Sequence, residues 1–327
     1  MKKKIPFNDL YLQYLNLRKE IDEAISEVIK NSSFVRGKYV EEFEESFSSK
    51  IGTKYCISCG NGTDALYITL MSLGLKKDDE VIVPSHSWIS TSEVVTQAGG
   101  KVVFCDTEDD YFTINPSILE KHVTSKTVGI IPVHLYGQPA NLDEIKNFAK
   151  KYNLWIVEDC AQAHLAKYKG ENVGTFGHAA TFSFYPGKNL GAMGDAGAIV
   201  TNDRHLAEKM SMYARHGGLK KGEHKIEGIN SRMDGLQGAI LSIKLNYLEE
   251  WTESRNSISN FYNKKLKNLD LWIVDCLRFI PHKTHAHFDK VMNWVELLKP
   301  KKTILTHMNY EVDYDFILSK VPKNCFP

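Results

Sequence analysis

The sequence predicts an α/β domain in which a mostly parallel sheet is flanked by helices. Two observations carry that prediction. Short runs rich in β-branched and aromatic residues alternate with stretches whose apolar residues recur at three-to-four spacing, the pattern of strand–helix–strand units. Several of the short runs are apolar throughout, as strands covered on both faces must be. Taken in order, "LYLQYLNLRKEIDEAISEVIKN" marks an amphipathic helix near the start. "KYCIS", "EVIVP", "KVVFC", "VGIIPVHL" and "LWIVED" predict strands, and "TDALYITLMSLG", "TSEVVTQAG", "PSILEKHV" and "LDEIKNFAKKY" predict the helices between them. "AATFSF" and "GAIVTN" add two strands, after which "RHLAEKMSMYARHG" and "DGLQGAILSIKLNYLEEWTESRNSISNFYNKKLKN" turn helical. Ligands of such sheets gather where strands end and helices begin.

A chain of 327 residues, 43% of them hydrophobic, has enough apolar side chain for one large domain or two smaller ones. Forty-one basic against forty acidic residues leave a formal charge of +1, so bulk electrostatics favour neither nucleic acid nor anionic membrane as a partner. No apolar run approaches the roughly 20 residues that span a bilayer, and the lysines of "MKKKIPFNDLYLQYLN" precede no uninterrupted apolar stretch. The expectation is a cytoplasmic protein. Six cysteines are few for this length, as in a reducing compartment. Cys56 and Cys59 form a C-x-x-C, but the run around them is strand-like and no second pair lies nearby, so core packing is expected.

"TFSFYPGKNLGAMGDAG" sets one lysine, Lys188, between an apolar run and a glycine-rich stretch. A phosphate-binding P-loop is excluded, because Phe182 stands where its first glycine belongs and Asn189 follows the lysine. Covalent catalysis by lysine needs an amine whose surroundings lower its affinity for protons. Pyridoxal 5'-phosphate would supply the remaining chemistry, given an acid for the ring nitrogen, an anchor for the phosphate and a group on the ring face. Asp159 follows a strand run and could hold the nitrogen, with Gln162 three residues on for the phenolic oxygen. Gly62 and Thr63 open a predicted helix, where backbone amides favour a phosphate. Ser183 could add a hydroxyl, and Trp88 could stack on the ring.

The stretches "GNGTDALYITL", "EVIVPSHSWIST", "IVEDCAQAHLAKYKG", "GTFGHAATFSFYPGKNLGAMGDAGAIVTND" and "GINSRMDGLQGAILSIKL" resemble the DegT/StrS family of pyridoxal-phosphate sugar aminotransferases, in order from about residue 5 to residue 269. The resemblance implies the fold-type I architecture. It implies that Lys188 forms the internal aldimine, that Asp159 pairs with the pyridine nitrogen, and that Ser183, Thr63 and Gln162 hold the cofactor. Asn230 would reach the phosphate of a neighbouring subunit's cofactor, which implies a homodimer. The implied substrates are a nucleotide-linked keto-sugar and glutamate.

Beyond Leu269 the text changes. "DLWIVDCLRFIPHKTHAHFDKVMNWVELLKPKKTILTHMNYEVDYDFILSK" resembles the final segment of a metallo-β-lactamase-fold hydrolase, a strand, helix and strand with a "THMN" turn. In that likeness Asp275 matches a metal-bridging aspartate and His307 the last histidine ligand. The string "HAHFDK" has Lys290 in the last ligand place, and a cation offers no lone pair, so no metal site is expected. Two segments follow, residues 1–269 and residues 270–327, the second replacing the C-terminal lobe of the family. Turnover is expected to suffer from that replacement; the alternatives are a non-catalytic cofactor-binding or interaction protein born of a gene fusion and, resting on the tail alone, a metal-dependent hydrolase.

Overall fold

The computed structural model describes residue 6 and residues 8–220, 222–265, 269–276, 279, 286–306, 308 and 313–327. The chain divides into one compact unit ending at Trp251 and another from Thr252 to Pro327.

The first unit begins with helices α1 (Leu10–Lys30) and α2 (Lys38–Ile51), then alternates strands and helices: β1 (Tyr55–Cys59), α3 (Gly62–Leu73), β2 (Glu80–Pro84), α4 (Ser90–Gln97), β3 (Lys101–Cys105), β4 (Thr127–Ile130), α5 (Leu142–Tyr152) and β5 (Trp155–Asp159). A short ladder of β6 (Lys167–Tyr168) and β7 (Glu171–Asn172) precedes β8 (Ala179–Ser183), β9 (Gly197–Thr201) and α6 (Arg204–Tyr213). Helix α7 (Gly235–Lys265) starts in this unit and continues past Trp251. Seven strands form one sheet in the order β1-β9-β8-β5-β4-β2-β3. β9 runs antiparallel to both neighbours and every other pairing is parallel.

The alternation of side chains along each strand explains the two layers. Ala180 and Phe182 of β8, Ala198 and Val200 of β9, and Cys56 of β1 face Val40, Phe43 and Phe47 of α2. Ala179, Ile199, Ile57 and Cys59 face the opposite side, against Ile68 of α3 and Met210 of α6. Cys56 and Cys59 thus lie on opposite faces of the sheet, and both are free. Phe47 meets Phe182 edge-on with ring centres 5.0 Å apart, and Phe184 at 5.2 Å, the geometry that aromatic quadrupoles favour.

The predicted strands are present, with differences at the edges. "VGIIPVHL" is regular only as Thr127–Ile130; after it Val133 makes a single bridge to Asp159, because Pro132 has no N–H for a ladder. "PSILEKHV" forms a 3₁₀ turn, Pro116–His122, in place of an α-helix. The helix predicted through "YARHG" stops at Tyr213, where Gly217 at φ +83° turns the chain and Arg215 pairs with Asn230.

In the second unit, β10 (Trp272–Asp275), α8 (Phe288–Leu298), β11 (Thr303–Thr306), α9 (Tyr314–Lys320) and β12 (Cys325–Phe326) make a parallel three-stranded sheet in that order. Val291, Val295, Leu305 and Ile317 form its core with Cys276 and Cys325. The strand, helix and strand expected here are β10, α8 and β11, and Asp275 ends β10. His307 and His285 lie outside the described residues.

Candidate active site

Asp159 is the last residue of β5 and only 5% exposed. Its Oδ2 accepts from the Thr91 hydroxyl at 3.0 Å and its Oδ1 from the Ala161 N–H at 3.1 Å. Burial pushes the carboxyl above its ordinary range, while those two donors and the charge of Lys188 pull the other way. Lys188 lies in the loop between β8 and β9, where its N–H bonds the Tyr185 carbonyl at 2.9 Å. Burial holds its amine below the ordinary lysine range, and the Asp159 charge partly offsets that. Each group feels the other's charge, so the strand end and the loop bring acid and amine near one another. A half-buried amine of lowered basicity is what nucleophilic lysine chemistry requires.

The start of α3 closes on the same strand ends. Asn61 caps the helix, its Oδ1 accepting the Asp64 N–H at 2.8 Å. Asn61 O takes the Ala65 N–H, and the first-turn amides of Gly62 and Thr63 have no acceptor within the helix. A Cβ on Gly62 would stand 2.7 Å from Ser183 Cβ, and one on Gly197 would stand 2.4 Å from Asn61 C. The two glycines let the helix terminus descend onto β8 and β9, which places Gly62 against Ser183. The Thr63 and Ser90 hydroxyls lie 2.7 Å apart and tie α3 to α4.

Gln162 Oε1 accepts the Tyr136 N–H at 2.8 Å, which leaves its amide nitrogen as the donor for another group. Tyr136 holds φ +57° to make that contact. Trp88 is 72% exposed and precedes α4; its carbonyl accepts the N–H of Thr91, the residue that binds Asp159. Asn230 is exposed and lines a cleft with Gly60, Asp64, Ser231 and Arg232. That cleft adjoins the α3 start, since Ser231 Oγ accepts from Gly60 N at 2.9 Å and donates to Asp64 at 2.7 Å.

Sequence reasoning missed Thr91 and Tyr136, whose contacts span 68 and 26 residues; proximity to Trp88 was the one cue for Thr91. It also missed His134 and Glu158, both fully buried. With Cys160 these two bring possible ligand atoms within 4.8 Å of one another. The hydrogen bonds describe an anchor: His134 Nδ1 accepts the Ala140 N–H at 3.1 Å, which leaves Nε2–H to donate to Glu158 at 3.0 Å. Glu158 also accepts the N–H groups of Gly174, Phe176 and Gly177, each at 2.8 Å. Burial pushes this carboxyl up, but the His134 contact and those amides outweigh it and hold the group below its ordinary range.

A family model for the DegT/DnrJ/EryC1/StrS aminotransferases matches residues 15–309. The chain belongs to that family. It is 45% identical over 264 residues to a dTDP-3-amino-3,6-dideoxy-alpha-D-galactopyranose transaminase of Aneurinibacillus thermoaerophilus, covering 81% of this chain and 73% of that one. DesV of S. venezuelae, solved in complex with a ketimine intermediate, superposes with a TM-score of 0.80 at 34% identity and covers 98% of this chain and 89% of its own. Ntda of Bacillus subtilis, solved with bound cofactor PMP, gives a TM-score of 0.70 at 35% identity over 76% of this chain and 57% of its own. This aminotransferase has the fold-type I architecture, and pyridoxal phosphate is its cofactor. Its residues fit that group: a buried acid, an amine within its field and a helix start seated so closely that a Cβ would fill the gap. A ring nitrogen, an aldehyde and a phosphate need those three features.

Proposed function

We propose that this aminotransferase moves an amino group from glutamate to a keto group on a nucleotide-linked sugar, with Lys188 as the catalytic amine. The observation that carries the reading is the placement of Lys188, on the loop after β8, within the field of the buried Asp159 at the end of β5. Bound pyridoxal phosphate supplies an electron sink for the carbon that loses its proton. Asp159 Oδ2 keeps the proton on the ring nitrogen, held by Thr91 and Ala161. The amides of Gly62 and Thr63 and the hydroxyls of Thr63 and Ser183 would hold the phosphate, Gln162 Nε2 would donate to the phenolic oxygen, and Trp88 would stack on the ring. Lys188 Nζ would hold the cofactor's aldehyde and, as a free amine, would move the proton at the substrate carbon.

Asn230 serves the phosphate site of a second copy in a homodimer; its exposure and its place beside the α3 start support this. The balanced charge fits small-molecule substrates in the cytoplasm without nucleic acid or membrane, and no described helix is long and apolar enough to cross a bilayer. We take residues 1–269 as the aminotransferase-like part and 270–327 as a segment of separate origin, resembling the end of a metallo-β-lactamase-fold hydrolase. The parallel β10-β11-β12 sheet, with Asp275 at a strand end, supports that division. The family match to residue 309 and the coverage by DesV weigh against it.

A second reading, cofactor binding without turnover, follows from that division. Spectroscopy of the purified protein separates the two. An absorbance band from lysine-bound cofactor that disappears on adding glutamate, and returns with a nucleotide keto-sugar, supports the transaminase. A band unchanged by any amino donor supports the second reading, and colourless protein carrying zinc or manganese would defeat both.

A further inference from the structure

We propose that Gln237 and Lys244 are positioning residues for Lys188, gripping by its backbone the loop that carries it. The proposal rests on the reading of Lys188 as the reactive amine. The two residues are seven apart on α7, two helical turns, and so share a face. Gln237 grips Met193 at both backbone atoms: its Oε1 accepts the Met193 N–H at 2.8 Å and its Nε2 donates to Met193 O at 3.2 Å. Lys244 Nζ donates to Gly191 O at 2.7 Å.

The rest of the loop is already closed at its base. Phe184 N–H bonds Ala196 O at 2.8 Å and Ala192 N–H bonds Phe184 O at 2.7 Å. A Cβ on Gly191 would stand 2.3 Å from Pro186 O, and one on Gly194 would stand 3.0 Å from Gln237 Nε2. Glycine at both positions brings the loop against itself and against α7. What the base leaves free, the helix fixes.

Lys244 is the informative member. It is 3% exposed, burial lowers the proton affinity of its amine, and its hydrogen bond goes to a neutral carbonyl. A buried ammonium with no carboxylate partner among the described residues is costly, and an apolar chain of the same length would fill the space at less cost. The cation secures a carbonyl three residues beyond Lys188. Lysine chemistry is sensitive to such placement, since a shift of about 1 Å can cost about 10²-fold in rate.

The test uses the full chain with Lys244→Met, which keeps the volume, and Gln237→Ala. In the cofactor-free protein, hydrogen–deuterium exchange across residues 185–196 should speed up about tenfold in each variant, with β4 and β5 unchanged. The pH profile for acylation of Lys188 by a small reagent should move toward that of an ordinary lysine. In the loaded enzyme kcat should fall about 10- to 100-fold with KM for glutamate nearly unchanged. Unaltered loop exchange, exchange raised equally throughout the sheet, or an unmoved Lys188 profile would overturn the proposal. Should Lys244→Met fail to fold, Gln237→Ala decides by the same criteria. Borohydride reduction that leaves no pyridoxyl group on Lys188 of the unaltered protein would sink the underlying reading; the exchange comparison would still report on the grip.

Discussion

Asp159 ends a strand almost out of contact with water, and its proton affinity in the cofactor-free chain is raised by that burial more than its donors lower it. The folded chain then binds this proton more tightly than the unfolded chain does. Ionisation opposes folding, a penalty absent below the ordinary aspartate range near about pH 3.9 and growing as the pH rises toward the folded value. Asp159→Asn should therefore raise the apo-protein's melting temperature at pH 7, the difference vanishing in acid. The same change should lower kcat/KM by about 10²-fold or more, since a preorganised charge is lost. A melting curve and a rate on each variant check both signs. Glu158 has the opposite sign: its folded value is depressed, so its contribution is present above the ordinary glutamate range and lost as the pH falls through the folded value. Glu158→Gln cannot accept from His134 and three amides at once, and should cost about 2–4 kcal/mol in denaturant titrations. Lys188 and Asp159 were legible because apolar runs stop beside them. Thr91, Tyr136, Gln237 and Lys244 were not, because their roles exist only in contacts 26 to 68 residues away along the chain.

Among the elements, the seam between α3 and β8 is packed too closely for a side chain at Gly62. Gly62→Ala places a methyl group 2.7 Å from Ser183 Cβ, an overpacking of about 1–3 kcal/mol. The helix start must lift, and affinity for pyridoxal phosphate should fall about tenfold or more, a loss of about 1.4 kcal/mol or greater, as equilibrium dialysis would read. α2 has a different task, filling the sheet's other face with Phe43 and Phe47. Phe47→Ala should cost about 3–5 kcal/mol of stability, measured by chemical denaturation. The strands were legible from their β-branched runs and α3 from its glycine and threonine opening. α2 went unread although Val40, Phe43, Phe47 and Ile51 have helical spacing, because glutamates and serines dilute the signal. The 3₁₀ turn at Pro116 was unreadable as such, since its apolar spacing is that of an α-helix.

For the whole molecule, every candidate site residue lies in the unit ending at Trp251, and the proposed homodimer assigns Asn230 to the neighbour's site. Mixing Lys188→Ala protomers with Asn230→Asp protomers, each inactive alone, should therefore restore about a quarter of the wild-type sites once subunits exchange, since half the dimers are mixed and each has one intact site. Activity that stays at background after exchange would defeat the shared site. The layered architecture was legible because alternation along the chain dictates it. The parallel sheet of the second unit was legible only as strand, helix and strand, because order and direction depend on pairings between β10, β11 and β12 that no local pattern encodes. The reversed direction of β9 has a mechanical outcome at this scale. A parallel strand there would need a crossover spanning the sheet before the chain could return. Running backwards, β9 lets the polypeptide double back at the rim, so the Lys188 amine rides on an arch with both feet on adjacent strands. The reach of that amine can then be tuned by the length of the arch while the sheet beneath keeps its stability.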